Sequence, residues 1–178
     1  MSRKIASSEH DVLTGVERDI NERLNGHKLD FTAMSAVSNI YRTGTAIRTH
    51  MERAVLADYD LSWVAFTVLW ILWIWGEQET GHVADEAGVT KGTLTGVMKT
   101  LVNRKLIKRI PHRDDRRRVS IALTKSGERL IEKLFPEFNN HETVAVETLT
   151  LKEQKLLADL LRKVHGNIVS VDEEPLEA

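Results

Sequence analysis

The tightest constraint on this chain lies between Thr80 and Thr124, which reads TGHVADEAGVTKGTLTGVMKTLVNRKLIKRIPHRDDRRRVSIALT. One glycine and one threonine divide its first half into two short helices. His82 to Gly88 carries Val83, Ala84 and Ala87 as its apolar residues, and Gly88 ends it, because glycine accepts the left-handed conformation that a sharp turn needs. Val89 gives the turn one apolar residue to bury, and Thr90 is a good N-cap for the next helix. In that helix, Thr90 to Arg104, the residues Leu94, Val97, Met98 and Leu101 recur at helical spacing and face inward. Lys91, Thr93, Thr95, Lys99 and Asn103 fall largely on the opposite side, which is small, polar and basic.

The second half predicts a hairpin. Leu106 to Ile110 and Arg118 to Leu123 are β-prone runs around a turn-rich, charged tip, Pro111 to Arg117. From Arg104 to Arg118 there are eight Lys or Arg and two Asp, a net of +6. The whole chain of 178 residues carries −1, which leaves −7 elsewhere. Positive charge gathered in one hairpin beside a small polar helix is an electrostatic footprint for phosphate. The stretch therefore reads as a winged helix-turn-helix that lays the helix Thr90 to Arg104 in a DNA major groove. Alone, the basic run would be an ordinary solvated surface hairpin.

These residues also resemble the MarR family of bacterial transcription regulators. Asp115-Arg-Arg117, five residues, then Leu123-Thr124-Lys-Ser-Gly127 is similar to the D-x-R and L-T-x-x-G pattern of that family at its usual spacing. Upstream, Leu61-Ser62, Phe66, Val68-Leu69 and Leu72 match the helix that leads into its helix-turn-helix. Downstream, Pro136 and Leu149-Thr150 to Leu161 match its terminal helices. The likeness spans residues 32 to 168. Three positions depart from the pattern. Ala87 stands where leucine is common, Gly96 where arginine or another polar residue is usual, and Lys105 where glycine often closes the helix. The polar face of the helix and the basic hairpin make Thr90, Lys91, Thr93, Thr95, Lys99, Arg104, Arg113 and Arg116 the expected DNA contacts. The resemblance implies Arg117 in a minor groove, held by Asp115.

The rest of the chain has the ordinary apolar content of a globular protein and enough length for a real core. With no cysteine it excludes a disulfide framework, a thiolate metal site and a cysteine-based peroxide sensor of the kind one branch of the resembled family uses. The seven histidines are scattered, and none forms a metal-binding pair by spacing, so no metal and no cofactor are expected. No phosphate-binding glycine loop or nucleophile elbow appears, so the chain is not expected to be an enzyme. Residues 1 to 30 are polar and mixed in charge. The longest apolar run, Val64 to Trp75, suits a buried helix rather than a membrane span, so a cytoplasmic protein without membrane contact is expected.

Residues 1–30 form an extension holding a helix, Ser8 to Leu24, ended by Asn25-Gly26. It reads as packing on a dimer surface, with cover over a ligand site as the alternative. Thr32 or Ser35 begins a long helix to about Ala57, with a stripe of Val37, Ile40, Tyr41, Gly44, Ile47, Met51 and Val55. Ser62 caps Trp63 to Trp75, and Gly76 ends it. After the wing, Thr124 caps a helix that Pro136 kinks or restarts. Thr150-Leu-Lys-Glu153 is a capping box that opens a leucine-striped helix stopped at Gly166. The expected architecture is mainly α with a small β-hairpin wing. Residues 61–124 form the winged helix-turn-helix, 31–60 and 125–168 a helical dimerisation region, and 169–178 a disordered acidic tail. A winged helix this small cannot bury three striped helices, so a second copy of the chain is the expected partner, beside double-stranded DNA.

Trp63, Phe66, Trp70 and Trp73 share one face of their helix, which reads either as buried filling or as the wall of an aromatic pocket. Family members commonly bind small aromatic or phenolic carboxylates there. The resemblance implies ligand contacts from Trp63, Phe66 and Trp70, with Arg42 or Arg48 on the carboxylate and His50 as a second polar contact. The expected function is thus a homodimeric, sequence-specific repressor released from a palindromic operator by such a ligand. Its alternatives are a constitutive repressor, a winged helix used for protein contact, and an enzyme working in the tryptophan pocket.

Overall fold

The computed structural model describes residues 15, 17–24, 26–111 and 118–173. The chain divides into two compact units, Met1–Thr49 and His50–Ala178. In the first, residues 17–23 are helical and Gly26 turns the chain at a φ of 99°. The expected helix start at Ser8 lies outside the described residues. Asp30 then opens α1, Phe31–Ala54, by accepting the Ala33 amide at 2.9 Å. The cap is therefore Asp30 rather than Thr32 or Ser35, since a carboxylate three residues upstream reaches the free amide best. Asn39 donates to Glu17 at 2.6 Å, which pins the helical residues 17–23 to α1 within that unit.

The second unit is built on α2, Trp63–Trp75. Ser62 caps it by accepting the Ala65 amide, and Gly76 ends it at a φ of 73°. Its helix is apolar all round, with Ala65, Phe66, Val68, Leu69, Ile71 and Leu72 buried, so it needs neighbours on every side. Its buried residues have them in α3 (Thr80–Glu86), α4 (Lys91–Asn103), α5 (Lys125–Ala145) and one wing strand, while Ile74 and Trp75 at its end stay about half exposed. Before α2, α1 ends at Ala54, short of the expected Ala57. The chain then makes a 3-10 turn, Leu56–Tyr59, closed by Asp60 in the left-handed region.

The sheet has three strands rather than the two of a simple hairpin. β2 (Ile107–Pro111) pairs antiparallel with β3 (Val119–Leu123), with Arg109 opposite Ile121. β1, only Gln78–Glu79, adds to the other edge of β3. Two residues carry no alternation, so β1 leaves no pattern in the sequence.

Thr124 caps α5 through the Gly127 amide and also donates to the Lys105 carbonyl at 2.6 Å. Pro136 sits inside α5 without breaking it, so the expected restart is absent; the helix continues to Ala145. The capping box forms as read, with Thr150 donating its amide to Glu153 and Glu153 donating its own to the Thr150 hydroxyl. The Thr150 hydroxyl also donates to the Glu153 carboxylate, at 2.7 Å, and that bond first, with the amide bond second, holds the Glu153 carboxyl below its ordinary range. The helix it opens, α6, runs Leu151–Glu173. Gly166 does not stop it, and residues 169–173 are helical rather than a disordered tail. A mid-helix glycine costs only about 1 kcal/mol, and Ile168, Val169 and Val171 carry the apolar pattern past it.

Two changes test these local readings. Lys105 is held at a φ of 58°, where an L-residue is strained by about 1 kcal/mol or more. Lys105→Gly should therefore stabilise the fold by about 0.5–1 kcal/mol after the unfolded-chain entropy of glycine is deducted. A melting temperature that does not rise rejects the strain. Gly127 is buried, and a methyl group there would fall on the Leu106 carbonyl oxygen. Gly127→Ala should cost about 1–3 kcal/mol, read by denaturant unfolding, because backbone has to shift to admit it.

Candidate nucleic-acid interface

The turn between α3 and α4 is built from backbone bonds. Gly88, at a φ of 62°, lets its amide reach the Asp85 carbonyl and the Val89 amide reach the Ala84 carbonyl, each at 3.0 Å. That pair of bonds is a Schellman close, and it sends the chain off at a sharp angle. Thr90 then accepts the Thr93 amide at 3.1 Å and starts α4. Leu94, Met98 and Leu101 are buried beneath α4, whereas Lys91, Thr93, Thr95, Lys99 and Asn103 are exposed. Helical spacing sets Gly92, Gly96, Lys99 and Asn103 directly opposite the buried row. The Thr95 hydroxyl is turned back to the Lys91 carbonyl at 2.8 Å.

A second Schellman close ends α4. Lys105 donates to Val102 and Leu106 to Leu101, both at 2.9 Å, and the chain enters β2. The residue that stands where a glycine is usual thus performs the turn a glycine would, at the cost of strain. Between α4 and the strands lies a concave surface of about 560 Å³, lined by Lys91, Thr95, Lys99, Arg109, Arg118 and Glu79 among others. Arg118 is paired with Glu79, its Nε 3.4 Å from Oε2, and ties β3 to β1. Lys91, Lys99 and Arg109 give this surface its positive charge.

The expected DNA contacts fall into three groups. Lys91, Thr93, Thr95 and Lys99 lie on the exposed face of α4, with Thr90 at its cap. Arg113, Asp115, Arg116 and Arg117 lie outside the described residues. The Arg104 guanidinium donates to the backbone carbonyls of Tyr59, at 2.8 Å, and Asp60. Sequence gave no sign of that bond, because its partners are 44 and 45 residues away.

The expected ligand contacts are divided as well. Arg42 and Arg48 belong to the first unit, where Arg42 lines a cavity of about 510 Å³ with Ile20, Phe31, Met34 and Ser35. In the second unit, Phe66 is buried and stacked on Phe138 of α5 at 4.2 Å, with Trp63 tilted against both. Trp70 stacks on Phe135 at 4.5 Å. Phe135 and Phe138 cover the aromatic face of α2, and the sequence reading missed them; their signal was the spacing of two aromatics on either side of Pro136. His50 meets His141 at 2.9 Å, a pair that a separation of 91 positions concealed. Tyr59 donates to Glu137 at 3.0 Å, and burial, then Glu137, pushes its phenol up from the ordinary value. Among the described residues no three His, Asp or Glu gather into a metal-holding group. No described helix is long and apolar enough to cross a membrane.

Comparison with known proteins agrees with this geometry. The model of the MarR family matches residues 61–119, which take in α2, the helix-turn-helix and the first wing strand. The HTH-type transcriptional regulator YwaE of Bacillus subtilis is 38% identical over 93% of this chain and 94% of its own length. Among solved structures, BpsR of Bordetella bronchiseptica, whose DNA binding is regulated by 6-hydroxynicotinic acid, is similar at 25% identity and a TM-score of 0.67. It covers 73% of this chain and 98% of that one. The MepR–DNA complex of Staphylococcus aureus shares the fold at 23% identity and a TM-score of 0.66, over 73% of this chain and 96% of MepR. The chain belongs to the MarR family and is a DNA-binding transcription regulator of winged helix-turn-helix type.

Proposed function

We propose that the chain acts as a homodimeric repressor, bound to a near-palindromic operator and released by a small aromatic or phenolic carboxylate. The observation that carries the DNA half is the exposed face of α4, small and basic, beside a positively charged concave surface. Lys91, Thr93, Thr95 and Lys99 meet the groove from α4, and Arg113, Arg116 and Arg117 are the wing residues proposed for the flanking minor grooves. Two-fold symmetry sets the half-sites about one helical turn apart.

The dimer rests on α6. Leu156, Leu157, Leu160, Leu161 and Val164 are each 40–55% exposed in the single chain. A leucine stripe of that length calls for a partner, and a second copy offers the matching stripe.

The ligand half rests on Trp63, half-buried at the edge of the Phe66–Phe138 stack, with His50 in the same unit. The similarity to BpsR, regulated by an aromatic carboxylate, supports the ligand class. One observation favours a second reading. Phe135 and Phe138 already cover the aromatic face, which suits a constitutive repressor.

Selection of genomic fragments by the purified protein, with and without hydroxylated benzoates and nicotinates, separates the readings. Recovery of near-palindromic sites emptied by one compound is the expected result. Sites that no compound empties favour the constitutive repressor, and random fragments overturn operator recognition. On a recovered site, Trp63→Ala should spare binding and remove the ligand response.

Two changes on α4 test its placement. Lys99→Ala should reduce the slope of log affinity against log salt by about 0.9, because one phosphate neutralisation is lost. Gly96→Ala should stabilise the free protein by about 1 kcal/mol, since no described atom lies within 4 Å of the added methyl. The same methyl should weaken operator binding, because it stands on the face that enters the groove. Stability and affinity rising together would turn that face away from DNA.

A further inference from the structure

We infer that Arg104 is a positioning residue for the reading helix, and not one of its phosphate contacts. The inference rests on α4 being the helix that reads DNA. Arg104 stands at the C-cap of α4. Its side chain is 28% exposed and turns away from the row that carries Lys99, back to the Leu56–Tyr59 turn. One guanidinium nitrogen takes the Tyr59 carbonyl at 2.8 Å and the other takes the Asp60 carbonyl. The Asp60 carboxylate, itself fully in solvent, lies 3.9 Å from the same group.

These carbonyls need a donor. They end a 3-10 turn that Asp60 closes in the left-handed conformation, with the Leu61 amide bonded to Leu56 and the Asp60 amide to Ala57. The last carbonyls of such a turn have no partner within it. A planar fork with fixed donors can hold two neighbouring carbonyls at once, which an ammonium on a flexible stem cannot do with the same geometry. Arg104 thereby fixes the exit of α4 to the segment that joins α1 to α2. That segment is held in turn by α5, because Tyr59 donates to Glu137 at 3.0 Å and Lys133 lies 5.8 Å from the centre of the Tyr59 ring. One side chain thus ties the far end of the reading helix to α5.

The two roles differ in what they do to binding. A phosphate contact supports all DNA alike and contributes to the salt slope. A positioning residue supports the register of α4 in the groove, so its loss lowers affinity for the right sequence and leaves affinity for random sequence where it was.

The test measures binding of the full-length protein to a selected operator and to a random duplex over a range of salt, for wild type, Arg104→Lys and Arg104→Ala. Both variants should lose operator affinity by about ten-fold, the scale of one lost base contact, with random-duplex affinity and both salt slopes unchanged. Arg104→Lys keeps the charge, so wild-type behaviour in that variant overturns the proposal. So does a slope reduced by about 0.9 on both duplexes in Arg104→Ala. A second readout needs no DNA. Amide exchange at Asp60, Leu61, Lys105 and Leu106 should quicken in Arg104→Lys while exchange within α2 stays as it was. Unchanged exchange there overturns the clamp. A wild-type protein without sequence preference would instead remove the reading of α4, and the exchange experiment would still decide the clamp.

Discussion

The geometry of the DNA-binding unit depends on two neighbouring carbonyls, those of Lys105 and Leu106. The Thr124 hydroxyl donates to Lys105, the Thr124 amide donates to Leu106, and Gly127 approaches Leu106 so closely that no β-carbon fits. At this joint the last turn of α4, the first wing strand and the first turn of α5 share one patch of backbone. A threonine supplies the bonds and a glycine supplies the room, which gives a physical meaning to the L-T-x-x-G motif. The wing cannot tilt without carrying the end of the reading helix with it, since both hang on the same peptide units.

Against this joint, α2 acts as the axle of the unit. It is apolar on every side and is packed by α3, α4, α5 and β3. Such a helix has no charged face that fixes its rotation, so its orientation comes from shape. The aromatic stacks supply that shape: Phe66 on Phe138 and Trp70 on Phe135 lock two points along α2 to two points along α5. Stacked rings give up part of their contact when they slide. A displacement of α5 is therefore passed to α2, and from α2 to the underside of α4, where Leu94, Met98 and Leu101 are buried.

What was legible in the sequence follows from range. Ser62, Thr90, Thr124 and Thr150 were all read as caps and all cap, because a hydroxyl and the amide three residues on need nothing else. Gly88 was legible for the same local reason. The inward row of α4 was legible because period alone sets it. Gly166 does not stop its helix and Pro136 does not restart its own, since each weakens a helix by an amount that tertiary packing or a continuing apolar stripe overrides. Arg104, His141, Phe135 and Phe138 were invisible because their partners lie far along the chain. In the site itself, the spacing shows which residues of α4 face outward but cannot distinguish a basic side chain that stays outward from one that turns back. Arg104 and Lys99 look alike in a list of cations, and only the fold separates them.

The distribution of charge adds a limit on how DNA is found. The chain is nearly neutral, so its net charge attracts no polyanion, yet +6 is gathered between Arg104 and Arg118 and the remainder carries −7. At physiological salt the field of a charge fades over about 8 Å. An acidic surface more than two such lengths from the basic hairpin is therefore screened from a duplex lying against α4. Close to the hairpin the attraction is local, and the rest of the chain, at a net −7, adds no net attraction of its own. Encounters are thus biased toward the orientation in which α4 faces the groove, and lowering the salt should strengthen the acidic repulsion along with the basic attraction. A protein arranged this way gains less non-specific affinity at low salt than a uniformly basic one with the same contacts, and so keeps more of its discrimination for the sequence that α4 reads.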